Sequence, residues 1–114
     1  MTMRGAKSEI SRGILAHEVA ILEGCEQGFA SEAIARVLRG AGLSAGERAR
    51  LARGTYRVLR ALRRIDLCLD AIARRPLRGV MRQRARWIAQ ELRAEERDPF
   101  SAAALFPSVD WSSF

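Results

Sequence analysis

Five arginines, Arg50, Arg53, Arg57, Arg60 and Arg64, recur at intervals of three and four residues. At 100° per residue an α-helix gathers them within roughly an 80° arc. A row of guanidinium groups suits one chemistry above others: forked hydrogen bonding to the phosphate oxygens of a polyanion. Glu47 is the sole acid between Gly42 and Ile65, so the stripe lacks the i,i+4 partners that ordinarily neutralise a charged helix face. On the opposite side Leu51, Thr55, Val58, Leu59, Leu62, Ile65 and Leu69 form the surface expected to pack inward. Tyr56 lies at the edge of the stripe, where it can stack an unpaired base or pack inward with its hydroxyl at the surface. Trp87 poses the same choice, with core packing the default. The plain alternative for the whole stripe is a solvated face in an arginine-rich chain.

Other chemistries find few residues. His17 is the only histidine, and without a second imidazole or clustered thiolates it makes no metal site. Cys25 and Cys68 are too few for a disulfide framework and lack the C-x-x-C spacing of a metal or redox motif. Both are expected to be reduced core residues. Gly5-Ala6-Lys7-Ser8 lacks the glycine before lysine that a phosphate-binding loop uses, and Gly40, Gly42 and Gly46 miss the dinucleotide spacing. The chain is therefore expected to be non-catalytic and to use no cofactor and no metal.

The 114 residues bound one domain with a real core, 48% hydrophobic and 29% charged. Three prolines and abundant Ala, Leu, Arg and Glu predict an all-α fold. The net charge of +7 is unevenly placed. Residues 33–90 carry fifteen arginines against Glu47, Asp66 and Asp70, a net of +12, whereas residues 1–32 net −2 and residues 91–114 net −3. Basic character confined to the central helices is the footprint of a nucleic-acid binder. Nineteen of the twenty basic residues are arginine, which suits phosphate contacts, although GC-rich coding produces the same bias. No apolar run approaches the roughly 20 residues of a membrane span, and Arg12, His17, Glu18 and Glu23 interrupt the first thirty residues. A cytoplasmic location away from membranes is expected.

The elements that must position these residues follow from caps and breakers. Ser8 can cap a first helix reaching Gln27, with Ile10, Ile14, Ile21 and Cys25 on one face, Leu15 and Leu22 beside them, and Gly28 as its stop. Ser31 then starts a short helix with Ile34, Val37 and Leu38 inward, ending at the Gly40-Ala41-Gly42 turn. Ser44 and Glu47 have capping-box spacing, so the striped helix begins near Ala45. It runs to about Ala73, or kinks between Arg63 and Asp66, before Pro76 interrupts it. A last helix is expected from about Leu77 to Arg97, with Leu77, Val80, Met81, Ile88 and Leu92 on its apolar side and Asp98-Pro99 closing it. Arg74, Arg75, Arg78, Arg82, Arg84 and Arg86 extend the basic surface around Pro76. After Phe100 only Asp110 is charged, and Phe100, Leu105, Phe106, Val109, Trp111 and Phe114 are expected to dock on the domain or on a partner.

The run Leu43-Ser44-Ala45-Gly46-Glu47-Arg48-Ala49-Arg50, then Tyr56-Arg57-Val58-Leu59-Arg60 and Ile65-Asp66, resembles the NusB-type RNA-binding domain. In particular it is similar to the form at the N-terminus of RsmB-like ribosomal RNA cytosine-C5 methyltransferases, with spacing that matches without a gap. Arg12 with Ala16, Val19 and Leu22 is similar to that family's first helix, and Arg84 to Leu92 to its later arginine-led helix. The likeness covers about residues 10–93. Three departures accompany it. Arg57 stands where the family has glycine, and the arginine-rich N-terminal segment is represented only by Arg4, Lys7 and Arg12. The family's last two helices have no counterpart after Leu92.

The resemblance implies a NusB-like bundle of four to five helices over residues 1–99, with residues 100–114 as an apolar C-terminal tail. It implies binding of ribosomal or leader RNA, in transcription antitermination or in targeting a ribosomal RNA methyltransferase whose catalytic domain is not in this chain. It also implies a small-subunit ribosomal protein as partner. The candidate RNA contacts are Arg50, Arg53, Arg57, Arg60, Arg64, Arg12 and Tyr56. The competing expectation is a helical protein-interaction or dimerisation module whose arginines only confer solubility. Nonspecific DNA binding through the same stripe is a third.

Overall fold

In the computed structural model, which describes residues 16–114, the regular elements are all helical. Helix α1 is helical over residues 16–27 and stops at Gly28 as expected. Its expected start at Ser8, together with Ile10, Ile14 and Leu15, lies outside the described residues. Helix α2 spans Ala30–Leu38; Phe29, not Ser31, occupies its N-cap and supplies no side-chain cap. Gly40 and Gly42 both adopt left-handed φ, +75° and +69°, which makes the tight return into the next helix possible.

Helix α3 spans Ala45–Arg60 and opens on the expected capping box: the Ser44 hydroxyl accepts from the Glu47 N–H at 3.2 Å, and the Ser44 N–H donates to the Glu47 carboxylate at 3.0 Å. The kink falls earlier than the sequence predicts. Ala61 leaves helical geometry at φ −108°, ψ 12°, and helix α4 resumes over Leu62–Ile72. After Pro76, helix α5 spans Gly79–Arg93. It ends four residues before the expected Arg97 because Glu95 turns left-handed at φ 62°, with the Glu96 N–H donating to the Glu91 carbonyl and the Glu95 N–H to the Leu92 carbonyl. This is the Schellman pattern, without its usual glycine.

Asp98-Pro99 therefore begins an element instead of closing one. Asp98 caps helix α6, Pro99–Leu105, by accepting from the Ser101 N–H at 2.8 Å, with Pro99 in the first turn. A single 3₁₀ turn at Trp111–Ser113 follows. Among the described residues there is no strand, only an isolated antiparallel bridge between Ala73 and Val109.

Helix α5 is the axis of the bundle and packs against α3, α4 and α6. It is buried over most of its circumference: Gln83, Ala85, Arg86, Trp87, Ile88, Ala89, Gln90 and Glu91 are all inside. Val80 and Met81, expected on its apolar side, are instead exposed at its N-terminal end. The main core joins Ile65, Leu69, Leu77 and Ile88 to Ala102, Phe106, Val109 and Trp111, so these residues dock on the domain itself, whereas Phe100, expected to dock with them, stands 86% exposed on the first turn of α6. A second cluster sets Val19 and Leu22 of α1 against Val58 and Trp87, and a third joins Ile21, Leu38 and Leu51. The edge of the Trp87 ring abuts Gly54, where a Cβ would fall 2.3 Å from Cζ3. Its indole N–H donates to the Glu18 carbonyl at 2.8 Å. Cys25 is half-buried and Cys68 exposed, so Cys68 is not the core residue its pattern predicts.

Candidate nucleic-acid interface

The inward side of the striped helix packs as its spacing dictates: Leu51, Thr55, Val58, Ile65 and Leu69 are buried, and Leu59 and Leu62 half-buried. Thr55 satisfies its hydroxyl by donating to the Leu51 carbonyl at 2.8 Å. That packing leaves Arg53, Arg57, Arg60 and Arg64 exposed, and none of them forms an ion pair with a described carboxylate. Tyr56 is 43% exposed beside them, which places its ring within reach of solvent instead of in the core.

Arg50 departs from the expectation of an unneutralised stripe. Its guanidinium lies 3.6 Å from the Glu91 carboxylate and 3.5 Å from that of Glu96, both beyond the residues that share its helix. Acids distant in sequence supply the partners that the i,i+4 positions lack. Arg12 lies outside the described residues.

The arginines around Pro76 divide. Arg74, Arg75 and Arg78 are exposed, but Arg82 and Arg86 are structural rather than part of a basic surface. Arg86 forks to Asp66 at 2.9 and 2.7 Å and also donates to Glu26 at 3.1 Å and Gln83 at 2.9 Å, tying α1, α4 and α5 together. Arg82 donates to Asp70 at 2.8 Å and to the Leu77 carbonyl at 2.9 Å. Burial pushes the Asp66 carboxyl up, but hydrogen bonds from Arg86 and the charges of Arg86 and Arg82 outweigh it and hold that group below its usual value. Asp66 and Arg86 both belong to stretches that carry the family resemblance, and in this fold they serve each other.

The break at Ala61 gives the stripe its shape. Arg57 and Arg60 line a cleft of about 380 Å³ with Gln90 and Arg93, while Arg64 lines a larger one, about 1050 Å³, that Arg93 also borders. Arg93, at the end of α5, is exposed and forms no ion pair with a described acid. Sequence spacing does not reveal it, because it joins the stripe from another helix. The free row is thus Arg53, Arg57, Arg60, Arg93 and Arg64.

Behind this surface lies a buried acid pair. Glu18 of α1 is 1% exposed and faces Glu91 of α5, itself held by Arg97 and Arg50. Burial, then the Glu91 charge and a hydrogen bond to it, push the Glu18 carboxyl up to about 9, so it is protonated at neutral pH. Both glutamates sit in helical sequence that reads as a solvated face, and only the packing of α1 on α5 reveals the pair.

No helix among the described residues is long and apolar enough to cross a membrane. No protein-family model, curated protein or solved structure matches this chain.

Proposed function

We propose that this chain is a non-catalytic RNA-binding module of the NusB type, gripping RNA phosphates through its arginine row. One observation carries the reading: Arg53, Arg57, Arg60 and Arg64 stand exposed along α3 and α4, without described carboxylate partners, while Arg82 and Arg86 are paired. Arg36, Arg39, Arg48, Arg63, Arg74, Arg75 and Arg78 are exposed as well, and what sets the row apart is its helical spacing, which aligns it along one side. The gap-free likeness from Tyr56 to Asp66 directs the reading to antitermination or to targeting of a ribosomal RNA methyltransferase, with a small-subunit ribosomal protein as partner. The rival protein-interaction module draws less support, since Phe106, Val109 and Trp111 are spent on the chain's own core.

Titration of single-stranded RNA across a salt series tests the reading. With four arginines engaged, log affinity should fall against log salt with a slope of about −3, and replacing Arg53, Arg57 and Arg60 by Ala should bring it to about −1 with the helical circular dichroism unchanged. RNA affinity that ignores both salt and the triple replacement refutes it. Competition by duplex DNA separates RNA from general polyanion binding.

A further inference from the structure

The larger cleft opens where α4, the end of α5 and the segment after Pro99 meet. Its volume, about 1050 Å³, is at the top of the range of roughly 300–1,000 Å³ that encloses small organic ligands. Ile65, Leu92, Trp111 and Phe114 give it an apolar lining, and Arg64 and Arg93 border it. Phe114 is half-buried and meets Trp111 edge to face, with ring centroids 6.1 Å apart. The smaller cleft shares Ile65 and Arg93 with it, so the guanidinium row from Arg57 and Arg60 leads by way of Arg93 to its lining.

A phosphate track alone needs no apolar cavity, and this cavity does not suit a phosphate. Arg50, Arg64, Arg93 and Arg97 line it together with Glu95, Glu96 and Asp98, but Arg50 and Arg97 are held by Glu91 and Glu96, which leaves Arg64 and Arg93 against Glu95 and Asp98, a balance that gives an anion inside no net attraction. Cationic rims beside aromatic linings are how single strands are held, with phosphates outside and unstacked bases within. We infer that the large cleft receives an unpaired base of single-stranded RNA, packed against Phe114 and the edge of Trp111, while the flanking phosphates lie on Arg64 and Arg93. The inference rests on the RNA-binding reading above and adds to it a pocket whose aromatic residues, Trp111 and Phe114, lie beyond the stretch that carries the family likeness.

The test compares a single-stranded oligoadenylate with an abasic oligonucleotide of equal length and charge. The native chain should bind the oligoadenylate about tenfold or more tightly, and Phe114→Leu, which keeps the cavity filled but removes the aromatic face, should erase most of that margin. Cys68 lines the same cleft and is exposed, so bound oligoadenylate should shield it from thiol alkylation while the abasic strand should not. Cys25, whose thiol burial pushes up, is the internal reference. Equal affinities with unchanged Cys68 alkylation overturn the pocket yet leave the phosphate row standing, provided the triple arginine variant still loses binding. A base preference that persists in Phe114→Leu without shielding Cys68 puts the stacking elsewhere and overturns it too. Binding of neither strand refutes the pocket and the RNA reading together.

Discussion

Glu18 keeps its proton at neutral pH because the fold offers it neither water nor a cation of its own. An unfolded chain releases that proton near the usual 4.5, whereas the folded chain holds it to about 9. Between those values the native state carries the extra proton, so stability falls as pH rises through this window. Glu18→Gln keeps the shape and removes the titration; it should raise stability at pH 8 by on the order of 1–3 kcal/mol and flatten the slope between pH 5 and 9 in urea denaturation. A variant less stable than the parent at pH 8 contradicts the assignment. Asp66 works in the opposite sense. Its carboxyl is held below its usual value, so its contribution is present above that value and is lost as pH falls through the lowered one. Arg86→Ala, which strips two acids and Gln83 of their shared partner, should cost about 2–3 kcal/mol in the same assay. At this scale the legible residues were those of the striped helix, whose two sides fall as spacing places them. Arg53, Arg57, Arg60 and Arg64 could be placed by spacing alone, because an exposed side chain depends only on its own helix. The partners of Arg50, Arg82 and Arg86 come from other helices and carry no local mark.

The start of α3 was legible because two side chains supply its cap, and the ends of α1 and α2 because glycine marks them. Ser44 with Glu47 is the clearest example, and the Gly40-Ala41-Gly42 turn the next. The end of α5 was hidden because Glu95 occupies a left-handed position at φ 62° with no glycine to announce it. Glu95→Gly should relieve that strain and stabilise the chain by about 0.5–1 kcal/mol in thermal or chemical unfolding. With the true stop disguised, Asp98-Pro99 reads as a terminator, though the same pair serves a helix N-terminus equally well. Asp98→Ala removes the cap on α6 and should lower the unfolding midpoint, with Asp98→Asn nearly neutral. The sequence offers a kink only between Arg63 and Asp66, and nothing marks Ala61 itself, since alanine is the best helix former. It reflects packing of α3 and α4 on α5, and it sets Arg64 in a different cleft from Arg57 and Arg60.

For the molecule as a whole, the helical class followed from composition and period, whereas the centrality of α5 did not. A helix bearing Gln83, Arg86, Gln90 and Glu91 looks like a surface element, and it is buried because α1, α3, α4 and α6 surround it with partners. Gly54 shows how tightly they close. Its missing side chain admits the Trp87 ring, and Gly54→Val should destabilise by about 3 kcal/mol or more, seen as a lowered urea midpoint.

The bridge between Ala73 and Val109 is clasped on either side, the Arg74 N–H donating to the Ser108 carbonyl and the Asp110 N–H to that of Ile72. This joins chain segments some 36 residues apart and shuts the main core with side chains made after those of α4 and α5. A ribosome adding residues one by one therefore leaves the inner surfaces of α4 and α5 wet until Phe106, Val109 and Trp111 emerge. Any nascent chain stalled before that point is a sticky, unfinished object, so the inner surfaces of α4 and α5 must wait for residues 106–111 before they can settle.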